Sequence, residues 1–452
     1  MCASLQAGPA RGLLVRDVEV VTVTDTSVVV TWFSGSAGEV DRYGAPRPVP
    51  ADTELLLGEP GKAGTLRTVL HDASATPYHY AEVTGLEPGR PYAFSARSAG
   101  RTAVQTSMQF PGSGGSRDAP GVFTTLRRPP GSHLFTLALA NDTHIGETTS
   151  GIVAGDFPPA FRQDEGLPPY PEVMLAALLD DLRRPDRRAG RLLVAGDLTA
   201  EAAPPDVATA RRLLDRFGRL GSDYLVTRGN HDRPHAGAAW SACGTVPGGD
   251  HHDCWGDAFL RPRQQLFSAA IGGLRVIGLD TTTLDLPGGT LDDGQLADLA
   301  ALLREEPDRP TLVFGHHPVT YEAAVTTAAG PAFDLDQTRA RRLEALYAAA
   351  PGVFMHHCGH THRNKRTFVP GRREVEFLEV AAAKEYPGGY SLLRVHSGGY
   401  QVSFYKTRAD LARRWSQRTR GEYFGLYPAY TLGTIADRNH TVTCDLSGLT
   451  RL

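Results

Sequence analysis

Five cysteines in 452 residues are too few, and odd in number, for a disulfide framework to hold this chain together. Only Cys243 and Cys254 bracket a short Gly- and His-rich stretch that a bridge would close as a loop, and a paired and a reduced state are equally compatible with that spacing. No apolar run reaches the ~20 residues of a membrane helix, and Met1 to Arg16 lacks the apolar core of a secretory signal. The expectation is a cytoplasmic protein without a membrane partner, or a secreted one if a leader has been removed. Charge of one sign is also missing, since 47 basic residues face 50 acidic ones for a net charge of -3. That balance excludes a nucleic-acid binder working by bulk charge, so any phosphate recognition must be local.

What remains is a chain with 41% hydrophobic residues, too long for one ordinary core, so two or more domains are expected. Residues 14–127 carry short β-branched runs separated by turn residues, with little helical periodicity. Three pieces, Thr26 to Trp32, Val83 to Tyr92 and Gly121 to Thr125, resemble a fibronectin type III-like sandwich; the resemblance implies a core Trp32 and a corner at Tyr92. A Gly- and Ser-rich loop is expected over 101–120. Pro129, Pro130 and Gly131 then mark a linker.

From 132 to 405 strand and helix patterns alternate, as in a layered α/β sandwich. Strands are expected at Leu134 to Ala140, Arg191 to Ala195, Tyr224 to Thr227, Leu274 to Leu279, Thr311 to Phe314, Val353 to His356 and Val375 to Val380. Helices are expected near 172–184, 206–219, 292–305 and 337–349. Residues 406–452 read as a C-terminal extension with a basic helical stretch and an aromatic segment.

Five segments end apolar runs with Asp, Asn and His: Asp142-Thr143-His144, Gly196-Asp197, Gly229-Asn230-His231-Asp232, Gly315-His316-His317-Pro318 and Gly359-His360-Thr361-His362. An isolated Asp after a strand is more often a turn residue, and an isolated His more often a structural one. Five strand-end loops restricted to these residue types are hard to explain as packing, because loops at the carboxyl ends of separate strands converge in open α/β sheets. Carboxylate, amide oxygen and imidazole suit Mn, Fe, Zn or similar transition ions, whereas an all-oxygen set would suit Mg or Ca.

In order and spacing these motifs resemble the calcineurin-like metallophosphoesterase superfamily. The resemblance implies a four-layer α/β sandwich and two divalent or trivalent transition metal ions. It assigns one ion to Asp142, His144 and His362 and the other to Asn230, His316 and His360, with Asp197 bridging. It further implies hydrolysis of a small phosphate ester by water activated at the metals, with His231 as general acid and Asp232 orienting it. His317, His251 and His252 are candidate substrate contacts, although strand-end packing competes for His317.

The departures bear on substrate. Purple acid phosphatases carry an iron-ligating Tyr three residues after the bridging Asp, where this chain has Ala200, so a purple iron centre is not expected. A phosphatase is the first reading and a phosphodiesterase for cyclic nucleotides or other diesters the alternative; a non-catalytic binding protein fits less well, since a structural metal site needs no neighbouring acid. The insert Arg233 to Asp257 is long for an irregular loop and reads as a lid or specificity loop. The oligomeric state is left open.

Overall fold

Buried and half-exposed residues alternate along the first half of Leu13–Val23, the period of a strand with one face on a core. The computed structural model describes residues 12–106, 121–151, 161–233, 243, 252–371 and 374–452. In it Leu13–Val23, Ser27–Val40 and Pro46–Pro48 pair in that order, with Tyr78–Thr84 also on Ser27–Val40. A second sheet runs Arg67–Thr76, Ala51–Gly58, Pro91–Ser98, Arg101–Thr102, with Val122–Thr124 on Pro91–Ser98. Between them lies a core of Val28, Val30, Trp32, Leu55, Leu57, Ala81 and Phe123. Trp32 can be buried there because its indole N–H donates to Ser98 Oγ at 2.9 Å. The Tyr92 hydroxyl accepts from the Glu87 amide at 3.0 Å and ties the corner as expected. Most of the Gly- and Ser-rich loop, 107–120, lies outside the described residues.

Beyond the linker two six-stranded sheets face each other. One runs Tyr224–Thr227, Arg191–Ala195, His133–Ala140, Gly389–His396, Gly399–Lys406, Asn439–Thr443; the other runs Phe267–Ile271, Leu274–Gly278, Thr311–Phe314, Val353–Cys358, Glu376–Glu379, Lys365–Thr367. Side-chain alternation makes the layers. Val276, Leu312, Phe314 and Met355 point into the core shared with the first sheet. Their neighbours Ile277 and Val313 turn the other way, and with Val353 and Phe377 they pack onto the helices Asp293–Glu305 and Gln337–Ala348. Tyr170–Asp181 and Pro204–Leu214 cover the first sheet, which completes a helix–sheet–sheet–helix sandwich.

The C-terminal extension packs into the sandwich. Asn439–Thr443 is no appendage, since it pairs antiparallel with Gly399–Lys406 as the edge strand of the first sheet. The N-terminal sandwich docks on the same strand through Thr22 Oγ1 to the Phe404 carbonyl (2.6 Å) and Lys406 to Glu19 (2.6 Å), and on the end of the helix Asp410–Thr419 through Arg420 to both Asp17 and Glu19 (3.0 Å each).

Candidate metal centre

Every motif leaves the carboxyl end of a strand. His133–Ala140, Arg191–Ala195 and Tyr224–Thr227 are mutually parallel neighbours, and so are Thr311–Phe314 and Val353–Cys358. The next residues are therefore delivered to one edge of the two sheets: Asp142, Asp197, Asn230, His316 and His360. The turns are sharp, because Asp142, His144, Asp197, His360 and His362 have φ of 51, 43, 50, 68 and 55°. Left-handed backbone at a non-glycine residue costs on the order of 1–3 kcal/mol, and it persists where the surrounding structure over-determines it, typically at functional sites. Glycines in the motifs serve close approach. A Cβ on Gly229 would overlap Asp197 Oδ1 and its amide nitrogen, and one on Gly359 would lie 2.5 Å from Asp142 Oδ2.

The ligand atoms converge. His362 Nε2 lies 3.3 Å from Asp142 Oδ1, His144 Nε2 lies 3.4 Å from Asp197 Oδ2, and His316 Nε2 lies 3.2 Å from the same Asp197 oxygen. His316 Nε2 is also 3.0 Å from Asn230 Oδ1 and 3.2 Å from His360 Nδ1. Two sets of donors thus meet at Asp197 Oδ2. Asp197 Oδ1 instead accepts from the His231 amide at 2.9 Å, and the Asp142 Oδ2 atom from the His360 amide at 3.1 Å.

Each outward nitrogen of the histidines faces an acceptor, by a hydrogen bond at His316, His360 and His362 and by an ion-pair contact at His144. His316 Nδ1 donates to the Ala195 carbonyl (2.8 Å) and His360 Nε2 to that of Phe333 (2.6 Å). His362 Nδ1 donates to Glu385 Oε1 (2.7 Å), and His144 Nδ1 lies 2.9 Å from Glu147 Oε2. Anchoring one ring nitrogen fixes the tautomer and turns the lone pair of the other inward, as metal-ligating histidines require.

Burial raises the Asp142 and Asp197 carboxyls, but the imidazoles around them outweigh it and hold both well below the usual carboxylate range. Burial likewise lowers His316 and His362, yet Asp197 beside the first and Asp142 beside the second push each to about 9. Carboxylates so placed among imidazoles are an arrangement that bound cations would neutralise. Asp142 Oδ1 and His144 Nε2 are buried with no hydrogen-bond partner, which inward-facing ligand atoms would show. The residues present fit a pair of transition ions.

The remaining expectations fare differently. His231 sits at the cluster's edge, its ring 4.7 Å from that of His144 and its Nδ1 donating to the Ala200 carbonyl at 2.7 Å. The position that lacks the Tyr thus supplies a backbone anchor for His231. Asp232 does not orient that ring. Its carboxylate accepts from the amides of Leu198 (2.9 Å), Thr199 (2.8 Å) and Gly229 (3.2 Å) and from Thr199 Oγ1 (2.8 Å), clamping the Asp197 loop to the Asn230 loop. His317 is corrected as a substrate contact: fully buried, its Nδ1 pairs with the Thr281 hydroxyl (2.7 Å) and its Nε2 with the Pro287 carbonyl (2.9 Å), so neither nitrogen is left for a ligand. His252 is half-exposed and pairs with Asp257 at 3.1 Å; His251 lies outside the described residues.

Within the insert, Cys243 and Cys254 form a disulfide with Cα atoms 6.1 Å apart. Cys254–Phe259 is a short helix capped by Asp253, whose carboxylate also receives Arg228 at 2.7 Å. Arg228 covers Trp255 and donates to the Asp232 carbonyl at 2.7 Å, so this helix is pinned to the Asn230 loop. Sequence reasoning missed Glu147, Lys384, Glu385 and Tyr427, which stand behind His144 and His362.

Fold and site together define a metal-dependent hydrolase of phosphoric esters. The chain belongs to the calcineurin-like phosphoesterase family, whose sequence model matches residues 135–364 and so spans all seven cluster residues. Among solved structures, it is similar to a dimetal phosphatase from Danio rerio, at 14% identity over 60% of this chain and 96% of that one, with a TM-score of 0.44. A purple acid phosphatase from yellow lupin (Lupinus luteus) seeds is 16% identical over 88% and 71%, with a TM-score of 0.41. A human fibronectin type III domain is 18% identical over 27% and 78%, with a TM-score of 0.18. No curated protein matches the chain. Among the described residues, no helix is long and apolar enough to cross a membrane.

Proposed function

We propose that this protein is a binuclear phosphatase for a small phosphate ester, using two divalent or trivalent transition ions of the Mn, Fe or Zn type. One observation carries the reading: Asp197 Oδ2 is within 3.4 Å of His144 Nε2 and 3.2 Å of His316 Nε2, so one carboxylate oxygen serves two ligand sets. Asp142, His144 and His362 would hold one ion, and Asn230, His316 and His360 the other. When bound, such ions lower the pKa of water and neutralise phosphoryl oxygens.

The chain's own residues do the rest. His231, tethered through Nδ1 to Ala200, presents its opposite nitrogen beside the cluster, where it hydrogen-bonds a phosphoryl oxygen or delivers a proton to the departing alkoxide. Asp232 and Gly229 keep the two loops that carry Asp197 and Asn230 in contact. Ala200 in place of a phenolate donor supports a colourless pair of ions.

The test compares p-nitrophenyl phosphate with bis(p-nitrophenyl) phosphate on apoprotein reloaded with manganese or zinc. Metal-dependent turnover favouring the monoester is expected. Turnover of the diester alone would move the substrate to the diester class, and turnover of neither by protein carrying two ions would remove the proposal.

A further inference from the structure

We propose that Lys384 is a positioning residue for the ion held by Asp142, His144 and His362, acting through the two carboxylates that orient both histidines. The inference rests on the binuclear reading above. It starts from a buried network in which every oxygen of Glu147 and Glu385 is used, with the buried Glu422 carboxylate beside them. Glu147 Oε2 faces His144 Nδ1 at 2.9 Å and Lys384 Nζ at 2.9 Å; its Oε1 takes Lys384 at 2.6 Å and the Tyr170 hydroxyl. Glu385 Oε1 accepts from His362 Nδ1 at 2.7 Å and from the Tyr427 hydroxyl; its Oε2 accepts from Ser150 Oγ at 2.6 Å and lies 3.1 Å from Lys384 Nζ. Among the described residues, Lys384 is therefore the one cation that bridges Glu147 and Glu385, and it is 5% exposed.

Main-chain contacts fix its place. The Lys384 amide donates to the Asp142 carbonyl at 3.2 Å, and its own carbonyl accepts from Trp415 Nε1 at 2.8 Å. Trp415 stacks on Tyr170 with ring centroids 4.0 Å apart, so the helix Asp410–Thr419 backs the whole assembly.

The other ligand set is built differently. Its histidines, His316 and His360, are anchored only by the neutral carbonyls of Ala195 and Phe333. A carboxylate behind an imidazole raises its basicity and fixes its ring, and losing such a partner costs ~10–100-fold in metal affinity. Without the ammonium, Glu147 and Glu385 would lose the counter-charge they share, with the buried Glu422 carboxylate close by, and a buried charge that loses its partner drives rearrangement or neutralisation. Glu147 and Glu385 would then no longer hold both rings. Removing Lys384 should consequently weaken one ion and spare the other.

The experiment is calorimetric titration of manganese into metal-free full-length protein, for the wild type, Lys384→Met and Lys384→Arg. The wild type should show two sites. Lys384→Met should weaken one of them by roughly 10–100-fold and leave the second within about threefold, and Lys384→Arg should recover most of the loss. Equal weakening of both sites, or wild-type affinities in a folded Lys384→Met protein, overturns the proposal. If Lys384→Met does not fold, Glu385→Gln must show the same one-sided loss, and failure to do so overturns it equally. A wild type that binds fewer than two ions overturns instead the binuclear reading beneath it.

Discussion

Gly229→Ala is a one-methyl perturbation aimed at the bridging carboxylate. The new Cβ would overlap both Asp197 Oδ1 and the Asp197 amide nitrogen, and because the second is main chain, no rotamer change relieves it. The Asn230 loop and the Asp197 loop must part by roughly 1 Å, a misplacement that costs on the order of 10²-fold in turnover when it falls on reacting groups. Overpacking of this kind also destabilises by about 1–3 kcal/mol. Since the Gly229 amide and the Leu198 amide share the Asp232 carboxylate, the clamp between the loops stretches at the same time. Gly38→Ala is the matched control, because a Cβ there meets nothing within 4 Å. Turnover of p-nitrophenyl phosphate, metal content and thermal midpoint should all fall for Gly229→Ala and stay put for Gly38→Ala. Wild-type metal content with undiminished turnover in Gly229→Ala would refute the close-approach argument.

Two further outcomes follow from separate parts of the structure. His231→Ala should retain both ions yet lose on the order of 10²–10⁴-fold in turnover, most for esters with poor leaving groups, and an equal loss for good and poor leaving groups would remove it as an acid. At the interface with the sandwich, burial raises Glu19 but Lys406 and Arg420 outweigh it and hold the carboxyl at about 2. Burial nevertheless lowers Lys406, which leaves the Arg420 guanidinium as the more dependable partner. The folded-state value is depressed, so its stabilisation, roughly 3 kcal/mol, is present above the ordinary value of 4.5 and lost as pH falls toward about 2. Glu19→Gln should be less stable than wild type at pH 7 and show a shallower loss below pH 4.5; parallel stability curves would contradict this.

Much of the candidate site was legible because a metal-ligating set would restrict residue types and place them directly after strands, as at Asp142, Asp197, Asn230, His316 and His360. Local pattern could not say where a side chain turns. Asp232 follows His231 in sequence but caps the Leu198 and Thr199 amides, and His317 follows a motif residue but turns into the strand-end core. Glu147 had a local signal, three residues after His144, whereas Lys384 and Glu385 reach the cluster only through tertiary folding from a separate strand exit. The strands Gly389–His396 and Gly399–Lys406 escaped for a related reason. They are buried almost throughout, so they lack clean alternation, and only the Ser397-Gly398-Gly399 turn between them marks a hairpin.

Seven residues from five loops would form one two-ion site around Asp197. Anomalous diffraction from crystals of manganese-loaded protein tests it most directly. The account predicts two anomalous peaks in contact with a shared Asp197 oxygen, one flanked by Asp142, His144 and His362 and the other by Asn230, His316 and His360. A single peak, or two peaks that do not share Asp197, would contradict it.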